Sequence, residues 1–364
     1  MTTMTSVPVS SPVKPTLYRR LRPIVREALA RLGVTGFGLL VLGIFLLPLA
    51  YVLSTAFKLD SQMTTIGAPP WPAEQATYNY EGTEYPLNNV PTEDGDTRRL
   101  AIVHPYRENS DVVDPAHPEQ GVFNVKGRWR TWQAIYRFAP KMKNFQDAWE
   151  QVNFPRLFRN SILLSSISTI GTLIACILVA YGFTRFQLPG KNILFVILIS
   201  TIVLPPQATI IPLYILFAKL GLTQTWLPLL VPAFFANAYD VFLLRQYFMS
   251  IPRELDEAAM IDGANPLRIL LSIIIPQAGP AITAVTIFHF FFVWNQYFEP
   301  LVYLLGKEKL YPVSVGIGQF VTTFSTYPGR SAATAVLAML LPAVMFFLAQ
   351  RQFMQGIVIT GVEK

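Results

Sequence analysis

The feature that most constrains this chain is a series of apolar segments, each about as long as a membrane is thick. Residues 33–57 contain no charged side chain. A helix of this length, at about 1.5 Å per residue, can cross a hydrocarbon core of about 30 Å. Charged residues make up only 14% of the chain, below the roughly 25% of soluble domains. Five more apolar segments follow, at residues 161–183, 192–218, 226–249, 277–305 and 331–349. We therefore predict an all-α membrane protein with six transmembrane helices.

The first apolar segment is predicted to be a retained transmembrane helix. It follows a polar leader, residues 1–32, and is longer than the apolar part of a cleavable signal peptide. A run of cations in a linear leader is a membrane-orientation signal more than a nucleic-acid surface, which needs basic residues spread over a folded face. No nucleic-acid partner is therefore predicted. The leader contains one acid, Glu27, and these basic residues: Lys14, Arg19, Arg20, Arg22, Arg26 and Arg31.

Residues 58–159 differ in kind, because they are rich in charge and contain no spanning segment. Short alternating runs, such as residues 100–104 and 121–126, are separated by turn residues and predict strands. A short helix is expected near residues 144–151. We predict a small, mostly β extramembrane insertion between the first and second spans. Core or membrane-surface packing is favoured over stacking on a sugar ring for its aromatic residues: Trp129, Trp132, Tyr136, Phe138, Phe145 and Trp149.

Prolines and titratable residues predict irregular places within the spans. Pro205, Pro206 and Pro212 predict that the third span kinks, or breaks and restarts. His289 is the deepest titratable residue, and a packed, hydrogen-bonded neutral role is favoured over a proton relay. The other titratable residues within spans lie mostly towards span ends: Asp240, Arg245 and Glu299. Residues 306–330 are predicted to form a polar loop.

Arginine and lysine predict which side of the membrane each loop faces. Six spans put both termini on one side. With the N-terminus inside, the short inner segments hold thirteen basic residues and the short outer loops hold four. Long domains are translocated largely regardless of charge, so residues 58–159 count little. Both termini and residues 250–276, the polar stretch before the fifth span, are therefore predicted to be cytoplasmic, with residues 58–159 outside.

The polar stretch is predicted to form a helix, a bend and a second helix. Ser250 or Pro252 can begin the first helix, and the acids that follow suit the positive end of its dipole. Gly263 can take positive φ and end it. Asn265 then begins a second helix that runs to Pro276. A short helix with small side chains at this place can enter a groove of a partner protein.

The residue order of the polar stretch resembles the EAA loop of ABC-importer membrane subunits. Glu257, Ala258 and Ala259 are followed after three residues by Gly263, and Ile273 precedes Pro276 by three positions. The family pattern has leucine before the last proline, where this chain has Ile275. Other segments are similar to carbohydrate-importer permeases of the maltose-system type: residues 158–162, 185–191, 212–214, 294–297 and 350–356. The resemblance covers about residues 31–72 and 144–364, and leaves out residues 73–143.

This resemblance implies the fold of a type-I ABC importer permease. The five-helix core would span residues 160–354 and be followed by a cytoplasmic tail, residues 355–364. The implied partners are a second homologous permease, two ATP-binding subunits that bind the ATP, an extracellular solute-binding protein and the lipid bilayer. No cofactor is expected in this chain, and the implied location is the inner membrane of a bacterial or archaeal cell.

The resemblance also implies the residues that carry the function. Sugar or oligosaccharide is the implied solute, with Asn295, Gln296 and Tyr297 as candidate path-lining residues. Residues that couple this chain to an ATPase are implied within the polar stretch: Glu257, Ala258, Ala259, Asp262, Gly263, Ile273 and Pro276.

Other classes of protein remain as alternatives. An ABC permease for a non-sugar solute differs only in substrate. A secondary transporter would be expected to carry buried ionisable groups or paired broken helices. A binding or scaffold module could be built on the insertion. A membrane enzyme is disfavoured, because His104, His117 and His289 are scattered over two compartments and cannot form a metal site. No phosphate-binding glycine loop is present in the sequence, so ATP hydrolysis is expected from a partner.

Overall fold

The computed structural model describes residues 17–91, 96–320 and 327–358. The start of the predicted leader, residues 1–16, and the end of the predicted tail, residues 359–364, lie outside the described residues. The described chain is mainly helical, with one small β region. It divides into a first unit, residues 1–52, and a second unit, residues 53–364.

Helix α1 (Leu17–Ala56) is 40 residues long and begins well before the predicted first span. Its part Leu29–Ala56 is long and apolar enough to cross a membrane. Large apolar side chains such as Phe37 and Phe45 are exposed on it. Such a helix is stable only where its surroundings are apolar too, as the prediction of a first span requires.

The β region lies where the insertion is predicted. All its strand pairs are antiparallel. In the part that the structure describes, one sheet has the order β2-β3-β4-β5-β6, β7 pairs with β3, and β1 pairs with β8. The strands are β1 (Ala73–Gln75), β2 (Thr77–Tyr80), β3 (Thr83–Pro91), β4 (Thr97–Pro105), β5 (Asn109–Val113), β6 (Phe123–Lys126), β7 (Gln133–Ala134) and β8 (Tyr136–Phe138).

The core of the insertion is small and aliphatic, with a single buried tryptophan among its described residues. Trp132 packs with Val90, Leu100, Ile102 and Val112. Not all of the aromatic residues lie in this core, because Phe138 and Trp149 are 71% and 52% exposed. The buried positions of β3 and β4 are instead mostly aliphatic, with Leu100, Ala101 and Ile102 buried in succession on β4.

The insertion is closed at its base, where the chain enters and leaves it. Ala73 lies opposite Phe138 in the β1–β8 pair. After a short helix α2 (Asp60–Thr64) and the strands, α3 (Lys143–Gln151) leads to the first long helix of the core. The Asn144 side-chain amide donates to the backbone carbonyls of Ala56 and Lys58, at 3.0 and 2.6 Å. These bonds join α3, which follows the insertion, to the end of α1, which precedes it.

The helical core is built around α4 (Phe154–Arg185). Small residues on its buried face, including Ser161, Ser168 and Ala180, allow close approach of neighbouring helices. The other helices of the core are α5 (Lys191–Ser200), α6 (Pro206–Lys219), α7 (Leu227–Leu230), α8 (Ala238–Ser250), α9 (Glu254–Ile261), α10 (Pro266–Ile269), α11 (Ile275–Gln277), α12 (Gly279–Asn295), α13 (Phe298–Tyr303), α14 (Val313–Ile317) and α15 (Pro328–Val358).

The spans of the core are less regular than the sequence predicts. Four described segments can each cross a membrane: Leu29–Ala56, Phe154–Arg185, Leu227–Ser250 and Pro328–Gln350. The third predicted span breaks near its adjacent prolines, where Lys191–Val203 and Gln207–Lys219 meet at 98°. The fifth is shorter than predicted: α12 ends at Asn295, and the segment Pro266–Gln277 meets it at 80°. The number of spans reaches six if each bent pair is one span.

The prediction of a polar loop at residues 306–330 is wrong for residues 306–320, and residues 321–326 lie outside the described residues. Tyr311, Val313 and Val315 are buried in its first half, which contains α14. The side-chain amide of Asn160 on α4 donates to the carbonyls of Lys309 and Tyr311, each at 3.0 Å. Backbone carbonyls away from water need such partners, so this segment packs into the core.

Candidate functional site

The polar stretch begins where α8 ends. Ser250 is the last residue of α8, and its hydroxyl donates to the Tyr247 carbonyl at 2.7 Å. Neither of the two predicted starts, Ser250 or Pro252, begins the next helix, because Ser250 still belongs to α8 and α9 starts at Glu254. Its first turn contains the three acids Glu254, Asp256 and Glu257, where the helix dipole favours negative charge.

Gly263 ends α9 in a backbone conformation that suits glycine. Its φ is +80°. The Gly263 N–H donates to the Met260 carbonyl at 3.1 Å, and the Ala264 N–H to the Ala259 carbonyl at 2.9 Å. These are the two hydrogen bonds of a Schellman turn. A residue with a Cβ is strained in this region by about 1–2 kcal/mol.

The second helix of the stretch starts as the sequence predicts. The Asn265 side chain accepts the Arg268 N–H at 2.8 Å and caps α10, with Pro266 in the first turn. Ile273 lies in a widened π-helical turn, Leu270–Ile274, and Pro276 follows in α11. The widened turn comes directly before Pro276, as expected because proline lacks an N–H and its ring crowds the preceding turn of a regular helix. The predicted arrangement of helix, bend and helix is confirmed.

Four polar contacts attach the polar stretch to the C-terminal end of α4. Arg185 Nε lies 2.7 Å from Asp256 Oδ2, and both side chains are nearly buried. The same guanidinium donates to the Ile251 carbonyl at 3.0 Å. Arg253 donates to the Thr184 carbonyl at 3.1 Å, and the Tyr181 hydroxyl donates to the Pro266 carbonyl at 3.0 Å. Both halves of the stretch are therefore fixed to one helix.

Asp256 is the buried acid of this attachment. Burial raises its pKa above the ordinary value, while the neighbouring guanidinium groups of Arg185 and Arg253 act in the opposite direction. Removing one partner of such a pair leaves the other charge poorly solvated, at a cost of about 1–3 kcal/mol. Sequence reasoning missed this pair. Its only signal is an arginine at the end of one span and a run of acids after another.

The opposite face of α9 is exposed and has no partner within the described chain. Glu257, Ala258 and Asp262 are exposed, and Ala259 is half-buried. Ile261 has 86% of its side chain exposed. Exposed apolar side chains beside charged groups are common at surfaces that bind another protein or a membrane. The exposed large apolar side chains of the stretch are Leu255, Met260, Ile261, Leu267 and Leu271.

The predicted coupling residues do not all share this face. Ile273 is half-buried beside Ile274, which has no exposed surface and belongs to a core cluster with Tyr181 and Phe248. The structure therefore separates an exposed group, around Glu257 and Ala258, from a supporting group in the second helix.

The three candidate path residues lie at the end of α12, but they do not face one pocket. Asn295 is exposed, and its amide donates back to the Phe291 carbonyl at 2.8 Å. Tyr297 is exposed as well. Gln296 instead lines an internal cavity of about 10 Å³, together with Ser165 and Ser168. A cavity of this size holds one water molecule at most.

A second polar group lies deeper in the core. His289 Nδ1 is 3.0 Å from Asp240 Oδ2, and the Asn237 side-chain amide also donates to this carboxylate. His289 Nε2 is 3.1 Å from the hydroxyl of Thr172 on α4, which donates to the Ala233 carbonyl. His289 is thus packed and hydrogen-bonded, as predicted. Asp240 does not lie near a span end, because α8 begins beside it after a break.

Across the part of the chain that the structure describes, no group of three or more histidine, cysteine or acidic side chains is arranged to hold a metal ion.

Together with the helical core, the exposed α9 defines the class of the protein. It is a multi-pass membrane protein with a short, exposed helix in the segment between two of its spans.

Comparisons with known proteins agree with this class. The family model described as binding-protein-dependent transport system inner membrane component matches residues 159–357, more than half of the chain. The chain is 34% identical over 211 residues to the sn-glycerol-3-phosphate transport system permease protein UgpE of Agrobacterium fabrum, covering 57% of this chain and 74% of that protein. It is 32% identical over 221 residues to the osmoprotective compounds uptake permease protein GgtD of Synechocystis, covering 60% and 74%.

A solved structure has the same fold. A chain of a bacterial ABC transporter involved in the import of the acidic polysaccharide alginate aligns with a TM-score of 0.58 at 20% identity, covering 94% of this chain and 99% of that one. This chain belongs to the family of binding-protein-dependent transport system inner membrane components. It is a permease subunit of the multi-pass membrane type, and the resemblance to ABC-importer permeases is confirmed.

Proposed function

We propose that this chain is the membrane-spanning subunit of an ATP-driven importer, with α9 as the helix on which an ATP-binding subunit acts. The observation that supports this best is the exposed face of α9. There Glu257 and Ala258 lie among apolar side chains that are also exposed. The alanines permit close approach of a partner backbone. Met260 can fill an irregular pocket, and Glu257 can pair with a basic residue of the ATPase.

The proposed assembly follows from the family. Two ATP-binding subunits would bind the ATP, a second homologous permease would complete the membrane domain, and an extracellular solute-binding protein would deliver the solute. Each bent helix pair would count as one span, which makes six. The thirteen-to-four distribution of basic residues supports a cytoplasmic position for both termini and the polar stretch. This chain would contribute no catalytic site and hold no cofactor.

Movement of α9 would reach the core through α4. The Arg185–Asp256 contact at 2.7 Å attaches α9 to the end of this helix. The polar stretch is also continuous with α8 and α12, which pack against α4. Gly263 would allow α9 to sit deep in the partner cleft, since its turn needs positive φ. Ile273 would act as support, because it packs against the core cluster around Ile274, while the exposed Pro276 would shape the bend before α12.

The proposed solute is a sugar or oligosaccharide. The sequence resembles carbohydrate permeases, and the structural neighbour belongs to an importer of a polysaccharide. The named relatives GgtD and UgpE take up osmoprotective compounds and sn-glycerol-3-phosphate, so a polar non-sugar solute is the second candidate. Asn295 and Tyr297 are the exposed polar residues proposed to face the path, while Gln296 would require a rearrangement to reach it.

The test compares two exposed acids on the same helix. Glu257→Gln should weaken association with the ATP-binding subunit roughly 30-fold, as expected for loss of a central ion pair worth about 2 kcal/mol. Glu254→Gln, one turn earlier, is the matched control and should keep association. The measurement is co-purification and ATP-dependent uptake by the full importer in liposomes.

A backbone change gives an independent test. Gly263→Pro should abolish uptake and stimulation of ATP hydrolysis, because proline cannot take the positive φ of this turn. The protein should still insert in the membrane. Wild-type uptake by this variant would refute the proposed role of α9.

A further inference from the structure

We propose that a groove between α4 and α15 binds one anionic phospholipid, with an acyl chain in the groove and the phosphate on Arg159. The groove has a volume of about 470 Å³, within the range of small-molecule sites. Phe158, Ile162 and Leu163 form one wall, and Leu337 and Leu340 of α15 form the other. This site is separate from the polar stretch, which lies at the opposite end of α4.

The groove is supported by a row of aromatic side chains in contact with one another. The rings of Trp149 and Phe154 are 5.7 Å apart, those of Phe154 and Phe158 are 5.7 Å apart, and Phe158 meets Trp294 edge-on at 5.6 Å. Ring pairs at these distances stabilise one another beyond the area that they bury. An acyl chain would therefore enter a rigid site at little cost in ordering the protein.

The positive charge of Arg159 at the mouth of the groove indicates that the polar headgroup of the ligand is anionic. Arg159 lines the groove, is exposed, and makes no ion pair or side-chain hydrogen bond within the described residues. The neighbouring cation Arg330 is by contrast paired with Asp147 at 2.9 Å. A guanidinium with all its donors available suits a phosphate oxygen pair.

The position of Arg159 fits the level of lipid headgroups. It is the last charged residue before residues 160–184, which carry no charge. Leu163 lies four residues further along α4, about 6 Å deeper. Trp149 is half exposed beside the groove, and tryptophan is enriched at membrane interfaces. A cation and a tryptophan above an apolar slot match a phospholipid from the leaflet on the side of the insertion.

The lining favours a lipid over other ligands. A sugar needs several precisely placed hydrogen-bonding groups, and the side chains that line the groove offer only two, the Arg159 guanidinium and the Trp149 indole N–H. A helix of another subunit could cover the apolar walls, but it would leave this cation without an anion unless it also carried one. Anionic phospholipid satisfies both the walls and the charge, since headgroup phosphate attracts basic residues near the membrane surface.

The experiment uses the purified full-length permease and acyl-brominated lipids, which quench nearby tryptophan. Brominated phosphatidylglycerol should quench Trp149 at lower concentration than brominated phosphatidylcholine. The Trp149→Phe variant isolates this signal from the other five tryptophans of the chain. Arg159→Gln should reduce the preference for phosphatidylglycerol about fivefold, the ratio that corresponds to about 1 kcal/mol. Arg159→Lys, which keeps the positive charge, should retain most of the preference for phosphatidylglycerol.

Matched variants separate this site from ordinary boundary lipid. Leu340→Phe fills the groove and should abolish saturable quenching, whereas Leu348→Phe, on an exposed part of the same helix, should not. Lys307→Gln, which removes another exposed cation, should leave the preference unchanged. Equal quenching by both lipids, unaffected by Arg159→Gln, would overturn the proposal. Cross-linking of Leu340→Cys to a second permease chain, with no lipid retained, would also overturn it.

Discussion

A buried carboxylate within a membrane-spanning segment persists only where other groups stabilise its charge. Asp240 is 3% exposed and has the imidazole of His289 and the amide of Asn237 as partners. Thr172 holds the far nitrogen of the ring. These contacts join α4, α8 and α12, the helices that carry the polar stretch and its attachment. We interpret the Asp240–His289 pair as a polar contact that holds these three helices together.

The first prediction concerns this pair. His289→Leu should destabilise the protein by about 3–5 kcal/mol, because it leaves Asp240 buried without its main partner. The double variant Asp240→Leu with His289→Leu should cost less than the sum of the single changes. Thermal unfolding of the purified protein measures both. Ser168→Ala, which removes a weaker contact at 3.5 Å, is the control. Additive effects of the two leucine variants would show that the residues do not act as a pair.

At the scale of elements, α4 joins the two ends of the molecule. It begins beside the base of the insertion and ends at Arg185, which holds α9. A helix of 32 residues extends about 48 Å. The attachment of α9 to α4 is therefore the place where a movement of the partner enters the core.

The second prediction concerns this attachment. Arg185→Gln should leave the permease bound to its ATP-binding subunits but lower uptake per ATP hydrolysed, because α9 would move without carrying α4. Arg268→Gln, on an exposed part of the stretch, should keep the ratio. The test is to measure solute uptake and ATP hydrolysis on the same liposomes and to compare their ratio between the variants. An unchanged ratio in Arg185→Gln would show that α4 does not receive the movement.

The pH dependence of stability follows from the pKa of Asp256. Because burial raises this pKa in the folded state, the folded chain binds the proton more tightly than the unfolded chain does. Stability from this group is thus greatest at acid pH, and it falls as pH rises from about 4 through the raised pKa. Asp256→Asn should lose this decrease. Unfolding temperatures of the wild-type protein and of Asp256→Asn, measured across the acid range, show whether stability falls with rising pH as expected.

At the scale of the whole molecule, the insertion is a separable part of the second unit. Its chain enters and leaves through the β1–β8 pair, where Ala73 lies opposite Phe138, and it has its own small core around Trp132. Asn144 and Arg330, which join its base to the helices, lie outside the strands. Removal of the strands should therefore leave these contacts in place.

The third prediction replaces residues 74–137 by a short glycine linker. The shortened protein should insert, keep its unfolding temperature within a few degrees, and still bind the ATP-binding subunits. Uptake by this protein then tests the insertion itself. Lower uptake with normal ATPase binding would assign it a role in receiving the solute, and unchanged uptake would exclude that role. Failure to insert would contradict the separability inferred from the β1–β8 closure.

Local residue patterns were sufficient to predict many features of this chain. Long apolar segments predict membrane helices whatever their neighbours are, because backbone groups in lipid must be satisfied within one segment. Gly263 and Asn265 predicted the turn of the polar stretch, since positive φ and helix caps are local requirements. The family resemblance rested on the same residues. None of these inferences needs a distance between remote parts of the chain.

Tertiary structure alone decided the rest. Residues 306–320 look like a loop in the sequence, yet Asn160 and Ser161 of α4 satisfy their backbone groups and bury them. Arg185 and Asp256 lie 71 positions apart, and no local rule joins them. Asp240 and His289 stand out in the sequence as titratable residues within spans, but they become a pair only when α8 and α12 pack on α4. The apolar segments determined that this protein lies in a membrane, and packing determined which polar side chains meet there, because a buried charge is stable only beside the partner that the fold supplies.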